Sequence, residues 1–237
     1  MISVCIPTYN GEKYIREQLA SILSQLAKND EVIISDDSST DATVKIIENF
    51  KDDRIKILPN NLFRSPIFNL ENALKHAKGE YIFLSDQDDI WMPDKVTIML
   101  NALKKNDLCV CDCIIVDSCG AIIEKSFFAK QKSGRGFWKN FAKNTYIGCC
   151  MAFRRELLAY VLPFPKKIPM HDSWIGLNAE LRGKVLFINE RLIKYRRHGF
   201  NASQTANAQG SNFSLKHKLY YRIVLFFLLF CRYFKLL

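Results

Sequence analysis

The chain has 237 residues, 49% hydrophobic and 24% charged, which is enough for one large domain, or one domain with an appendage, around a real core. Its formal net charge of +10, from 34 Lys and Arg against 24 Asp and Glu, favours polyanionic partners such as nucleotides or an anionic membrane surface. Charge is the only argument for nucleic acid, because the chain carries no nucleic-acid-binding motif, and eight cysteines in so core-rich a chain exclude a disulfide framework.

In chain order, Ile2 to Ile6 reads as a buried strand that follows Met1 directly, with no basic leader segment; the expected setting is the reducing cytoplasm. Pro7-Thr8-Tyr9-Asn10-Gly11 is a turn by composition. From Glu12, the spacing of Tyr14, Ile15, Leu19, Ile22 and Leu23 predicts a helix. Strands are expected at Glu31–Ser35, Ile55–Leu58 and Tyr81–Leu84, with helices over Ala42–Phe50, from Ser65 or Pro66 to Lys78 before Gly79, and over Pro93–Asn106. This βα alternation predicts an α/β fold with a parallel sheet covered by helices.

After a strand at Leu108–Val116 the alternation stops. Cys109, Cys111 and Cys113 fall on one face of that strand and read as small apolar residues, since no CxxC-type turn supports a zinc site. A hairpin around Ser118-Cys119-Gly120, a loop at Lys130–Gly136, strands near Ile147–Phe153, Val185–Ile188 and Leu192–Arg196, and a helix over Ser173–Leu181 follow. Residues 1–200 read as one domain and the polar stretch 201–214 as a mobile loop.

Residues 215–237 form a basic, apolar C-terminal helix. The unbroken apolar run Ile223–Cys231 would extend only about 14 Å as a helix, against roughly 30 Å of hydrocarbon. With Lys216, Lys218, Arg222, Arg232 and Lys235 around it, the segment is expected to lie in the interface of an anionic membrane; docking on the body or a partner chain is the alternative.

Ligands of open parallel sheets sit beyond the carboxyl ends of the strands. Three polar clusters fall there: Pro7-Thr8-Tyr9-Asn10, Asp36-Asp37 and Asp86-Gln87-Asp88-Asp89. Tyr9 is suited to stack on or flank a base, and Asp37 to accept hydrogen bonds from a base or ribose; the first cluster also reads as a tight turn, and Asp36 and Asp41 as helix caps. Three carboxylates within four positions repel one another unless water or a cation lies among them. On an extended chain Asp86 and Asp88 point the same way, which suits a hard divalent ion, Mg2+ or Mn2+, shared with substrate phosphates. The absence of GxGxxG and of a Walker lysine removes the main support for dinucleotide and P-loop readings.

Ile6-Pro7-Thr8-Tyr9-Asn10-Gly11, Ser35-Asp36-Asp37-Ser38-Ser39-Thr40-Asp41-Ala42-Thr43 and Leu84-Ser85-Asp86-Gln87-Asp88-Asp89-Ile90-Trp91, in this order, resemble the inverting glycosyltransferases of family 2. The last segment, with Pro93 and Lys95, is similar to bacterial members that build surface polysaccharide, including rhamnosyltransferase-like enzymes. The resemblance covers about residues 1–200. It implies the GT-A fold, a Rossmann-like mixed central sheet flanked by helices, and a donor such as a UDP- or dTDP-sugar with a glycan or lipid-linked glycan acceptor. It implies a nucleotide pocket at Thr8, Tyr9, Asn10 and Asp37, with Asp86 toward the ribose or a metal-bound water and Asp88 on the metal. Thr145 to Phe153 resembles a glycine-containing loop near the donor sugar, with Gly148 permitting close approach.

His171-Asp172 stands where the family has its general-base carboxylate, usually in an acidic pair. With His in the first place, Asp172 carries the role alone, and it also reads as a cap of the following helix. Tyr195 to Asn201 resembles a segment whose histidine, here His198, completes the metal site, with Arg196 or Arg197 neutralising the diphosphate. The implied setting is the inner face of the cell membrane. The rivals are a non-catalytic nucleotide-sugar-binding module on the same fold and an aspartate-based phosphotransferase with Asp86 as nucleophile.

Overall fold

The computed structural model describes residues 1–199 and 215–234. The first apolar run forms β1 (Ile2–Thr8), in which Val4, Cys5 and Ile6 are fully buried. Burial on both faces is characteristic of a parallel sheet. β1 lies between β2 (Glu31–Asp36) and β4 (Tyr81–Leu84), both parallel to it, and β3 (Ile55–Leu58) extends the sheet beyond β2. The crossovers are α1 (Ile15–Leu23), α2 (Thr43–Glu48) and α3 (Pro66–His76). Pro66 opens α3, where its missing N–H costs nothing. Gly79 is required by close approach rather than as a helix cap: a Cβ there would lie 2.5 Å from the Ser3 backbone nitrogen.

Beyond β4 the sheet is mixed, not purely parallel. The strands are β5 (Ile90–Trp91), β6 (Leu108–Val116), β7 (Ile122–Glu124), β8 (Met151–Arg154) and β9 (Val185–Arg196), and the path across the sheet is β3-β2-β1-β4-β8-β6-β9-β5, with β7 on β6. β8 runs antiparallel to both neighbours and so joins the second half of the chain to the first. The two strands expected at Val185–Ile188 and Leu192–Arg196 are one. Cys111 pairs with Ile188 and Asp112 with Arg191, so Asn189 and Glu190 are pushed out as a bulge that satisfies both apolar runs. The strand expected from Ile147 begins only at Met151, after a 3-10 turn at Gly148–Cys150. The hairpin at Ser118–Gly120 is present, with Gly120 at φ +90°. Cys109, Cys111 and Cys113 are unbridged and fully buried.

The remaining helices are α4 (Lys95–Leu103), α5 (Phe127–Gln131), α6 (Phe137–Ala142), α7 (Leu158–Val161), α8 (His171–Arg182) and α9 (Leu215–Tyr233). α9 docks on the body through one face, where Leu225 and Leu229 are buried. Arg232, read from sequence as a lipid-facing charge, is buried, and its guanidinium donates to the Leu162 and Pro163 carbonyls at 2.8 and 2.6 Å. No helix among the described residues is long and apolar enough to cross a membrane. The stretch 201–214, expected as a loop, lies outside the described residues.

Candidate active site

The carboxyl ends of β2, β1 and β4 are neighbours, so the three polar clusters meet at one edge. Thr8 is buried and donates from Oγ1 to Asp36 Oδ1 at 3.0 Å. Asp36 also accepts from the Ser39 amide and hydroxyl at 2.8 and 2.6 Å, so it braces its loop and is not free for a ligand. Asp41 accepts from the Thr43 amide at 2.9 Å and serves α2, as a capping residue would. Asn10, in the left-handed region at φ 49°, donates its amide to Ser39 and accepts the Thr40 amide on its side-chain oxygen. It ties the first loop to the second and does not line the cleft. Asp37 does line it, one oxygen accepting the Phe63 amide at 2.6 Å, and Tyr9 stands at the rim, 56% exposed.

Gln87, the middle residue of the acidic triplet, clamps this rim. Its side-chain amide accepts from the Tyr9 N–H at 2.9 Å and donates to the Tyr9 carbonyl at 3.0 Å. Gly11 leaves the necessary room, since a Cβ there would lie 2.5 Å from Gln87 Oε1. Gln87→Ala therefore releases Tyr9. For the nucleotide-sugar donor that the resemblance implies, the expected result is a KM raised roughly tenfold with kcat nearly unchanged, consistent with the loss of two hydrogen bonds of about 0.5–1.5 kcal/mol each; steady-state kinetics checks it.

The acidic cluster is completed by the far end of the sheet. β5 pairs antiparallel with β9, Ile90 opposite Lys194 and Trp91 opposite Ile193. The Arg196 amide then donates to Asp89 Oδ1 at 2.9 Å, and His198 Nε2 reaches Asp88 Oδ2 at 2.7 Å. The His198 ring stacks on Tyr14, centroids 5.0 Å apart. The Arg196 guanidinium donates to the Asp88 and Ser118 carbonyls and to Glu17 Oε2, the last at 2.7 Å, and lies over Tyr14. It thus faces the scaffold behind the cluster rather than the cleft. Arg197 continues the β-ladder, its amide donating to the Val116 carbonyl at 2.8 Å.

Burial, together with the neighbouring Asp88 and Asp172 charges, pushes the Asp86 carboxyl up to about 7. Asp89 is likewise raised by burial and by Asp88 and Asp86. Lys95 is fully buried below them, but its ammonium lies on the Cys149 carbonyl at 3.0 Å and over the Trp91 ring at 3.9 Å. So concentrated a negative charge fits a cation. Asp88 Oδ2 and His198 Nε2 stand close to the separation of about 3 Å that adjacent ligands take on an octahedral ion. Asp86, Asp89 and Cys149 also lie within 4.8 Å of one another. Burial keeps the Cys149 thiol protonated, however, and a neutral thiol is a poor ligand for a hard ion.

The second half of the chain supplies the opposite wall. Gly148 lines the cleft, but the space a side chain would need there is filled by His171, whose Nε2 would be 2.3 Å from a Cβ. Burial lowers His171 to about 4, which keeps it neutral, and its Nδ1 has no hydrogen-bond partner among the described residues. Asp172 is the second residue of α8 and not its cap, a position held by Met170. It is buried, accepts from the Ser173 amide at 2.5 Å and from Asn144 Nδ2 at 3.2 Å, and is raised to about 6 by burial. The cleft encloses about 770 Å³ and brings together Pro7, Thr8, Asp37, Asp86, Gly148 and Asp172, among others.

Sequence reading did not find Gln87, Asn144, Lys95 or Asn69 as site-builders. Asn69 reaches the Thr8 carbonyl at 3.1 Å from α3. Asn residues in helices and loops carry no local signal of such a role; only an acidic or aromatic neighbour in space reveals it.

Residues 3–162 match the family model described as glycosyl transferase family 2. An Escherichia coli relative, UDP-Glc:alpha-D-GlcNAc-diphosphoundecaprenol beta-1,3-glucosyltransferase WfgD, is 31% identical over 201 residues, covering 83% of this chain and 77% of that protein. The Shigella flexneri dTDP-rhamnosyl transferase RfbG is 32% identical over 227 residues, covering 89% and 75%. Staphylococcus aureus TarS 1-349 in complex with UDP-GlcNAc shares the fold, with a TM-score of 0.70 at 20% identity over 99% of this chain and 72% of that one. A matched family model over more than half of the chain, two relatives above 30% identity and the same architecture lead to one conclusion: this chain belongs to glycosyl transferase family 2.

Proposed function

We propose that this glycosyltransferase moves a sugar, with inversion, from a UDP- or dTDP-sugar to a hydroxyl of a glycan or lipid-linked glycan in bacterial surface-polysaccharide synthesis, working at an anionic membrane surface. The observation that carries the reading is a single cleft walled by the Asp86–Asp88 cluster on one side and by a buried carboxylate of raised pKa, Asp172, on the other. Pro7, Thr8, Tyr9 and Asp37 hold the nucleotide, and Asn10 sets the shape of their loop. Asp88 and His198 are the ligands for Mg2+ or Mn2+, with Asp86 beside them. When bound, the ion neutralises the charge that develops on the departing diphosphate. Arg196 holds Asp88 and Asp89 in place from behind, and Arg197, the next residue, is the other cation for the diphosphate. Gly148 and His171 form the wall against which the transferred sugar rests.

Asp172 accepts the proton of the attacking hydroxyl. The acceptor oxygen bonds to the anomeric carbon, the bond from that carbon to the phosphate oxygen breaks, and its electron pair leaves with the nucleoside diphosphate. Attack from the face opposite the leaving group inverts the configuration. The rhamnosyl and glucosyl relatives, and the lipid-diphosphate acceptor in the glucosyltransferase's name, support the substrate class.

The test is release of nucleoside diphosphate from a panel of nucleotide sugars, with and without EDTA. Metal-dependent release supports the reading; binding without release would make the chain a non-catalytic module, and a trapped phosphoenzyme would make it a phosphotransferase. The base reading has its own signature. Because Asp172 works ionised, kcat/KM falls as pH drops through about 6. Asn144 donates to that carboxylate and favours its charged form, so Asn144→Ala moves this acid limb to higher pH. A limb that does not move in a pH–rate profile contradicts the assignment.

A further inference from the structure

Among the described residues, the outward side of α9 is exposed by the docking described above. Ile223, Phe226, Phe227, Phe230 and Tyr233 recur at helical spacing and are 46–62% exposed. The stripe does not end at α9. Phe141 of α6 meets Phe226 at 6.0 Å in an edge-on contact, Arg222 donates to the Ala142 carbonyl, and Trp138, on the same short helix, is 69% exposed. Around it, Lys132, Arg135, Lys139 and Lys143 are exposed. The sequence has no Asp or Glu from Lys125 to Arg155 and none after Glu190. Two segments far apart in sequence, both free of acidic residues, thus make one surface with an aromatic centre and a cationic margin.

We infer that α6 and the outer face of α9 form one docking surface for an anionic lipid bilayer. Aromatic and aliphatic side chains with basic neighbours match the acyl–headgroup boundary of such a surface. A second copy of this chain fits less well, because a two-fold contact would set these lysines and arginines against their own counterparts. The surface is also wired to the site. Immediately after α6, Thr145 Oγ1 donates to Asn140 Oδ1 at 2.7 Å and Asn144 donates to Asp172. The segment that leaves a docked α6 therefore reaches Asp172 through Asn144. Docking is independent of the transfer chemistry; the delivery of a lipid-linked acceptor to Asp172 rests on the function proposed above.

The probe is built in. Of the three tryptophans, Trp91 and Trp174 are buried and only Trp138 is exposed. The full chain is mixed with vesicles of phosphatidylethanolamine and phosphatidylglycerol, or of phosphatidylcholine alone, each carrying bromine-labelled acyl chains. The expected result is blue-shifted, quenched emission with the anionic vesicles only, absent in Trp138→Phe and weakened by salt. Phe227→Ser with Ile223→Ser, and separately Lys132→Glu with Lys139→Glu, should each weaken vesicle partitioning by on the order of tenfold or more. Thermal melting checks that these variants fold, and their vesicle-free release of nucleoside diphosphate should equal that of the parent chain. Unquenched Trp138, equal partitioning on both vesicle types, or a lipid-free dimer that Phe227→Ser splits would overturn the inference. Docking without any nucleotide-sugar turnover would leave it standing and remove the proposed function instead.

Discussion

Asp172→Asn is expected to lower kcat by about 10²–10⁴-fold, the usual contribution of a positioned general base, while the dissociation constant for donor stays within about twofold. The amide is the same size as the carboxylate, and its oxygen still accepts from the Ser173 amide and from Asn144. Only the ability to take a proton is lost. Stability should not fall, because a buried carboxylate disfavoured by desolvation is replaced by a neutral group in the same hydrogen bonds. The change also removes one of the negative charges that raise Asp86, so donor binding has no electrostatic reason to weaken. Near-parental turnover of this variant would remove Asp172 as the base; a large loss of donor binding would make it a binding residue.

The second large effect is on the metal corner. Asp88→Ala should abolish the ion-dependent part of donor binding, lowering affinity for Mn2+ in the presence of nucleoside diphosphate by at least about 100-fold, more than the loss of an outer partner costs. The fold should survive, because Arg196 Nε grips the Asp88 carbonyl oxygen, a backbone atom that the substitution keeps. His198→Ala should behave alike, since its Nε2 and the Asp88 carboxylate act as a pair. Isothermal titration of nucleoside diphosphate with and without Mn2+ distinguishes the outcomes. Equal affinity in both conditions for the parent chain, or an unchanged ion effect in Asp88→Ala, would place the ion elsewhere, with the Asp86–Asp89–Cys149 corner next in line.

The first half of the site was legible in sequence because its logic is local. Buried strands such as Ile2–Thr8 announce themselves by apolar runs, and the polar residues that end them must lie at the carboxyl edge of a parallel sheet. The second half was legible only through resemblance. Nothing local to Asp172 or His198 says that β8 will run antiparallel between β4 and β6, and that arrangement is what folds the later segments back over the cluster. β5, two residues long, has no periodicity to read, yet its pairing with β9 brings Arg196 onto Asp89 and His198 onto Asp88. The bulge at Asn189 and Glu190 made one strand look like two for the same reason: a register shift is a property of the partner strand, not of the run itself. Arg196 or Arg197 read as a cation for the diphosphate because an arginine near a phosphate site ordinarily is one; the structure adds that Glu17 and two carbonyls, distant in sequence, accept from the Arg196 guanidinium. The C-terminal helix docks on the body with one face, the alternative reading of that segment, and exposes an aromatic face on the other.

The most direct test of the central claim is the anomeric configuration of the product. The full chain is incubated with Mn2+, the nucleotide sugar it turns over and a lipid-diphosphate glycan acceptor, and the new linkage is read by the one-bond carbon–proton coupling at the anomeric centre in NMR. A single displacement assisted by Asp172 predicts a product of configuration opposite to the donor, with formation lost in Asp172→Asn. A product that keeps the donor's configuration would contradict the account.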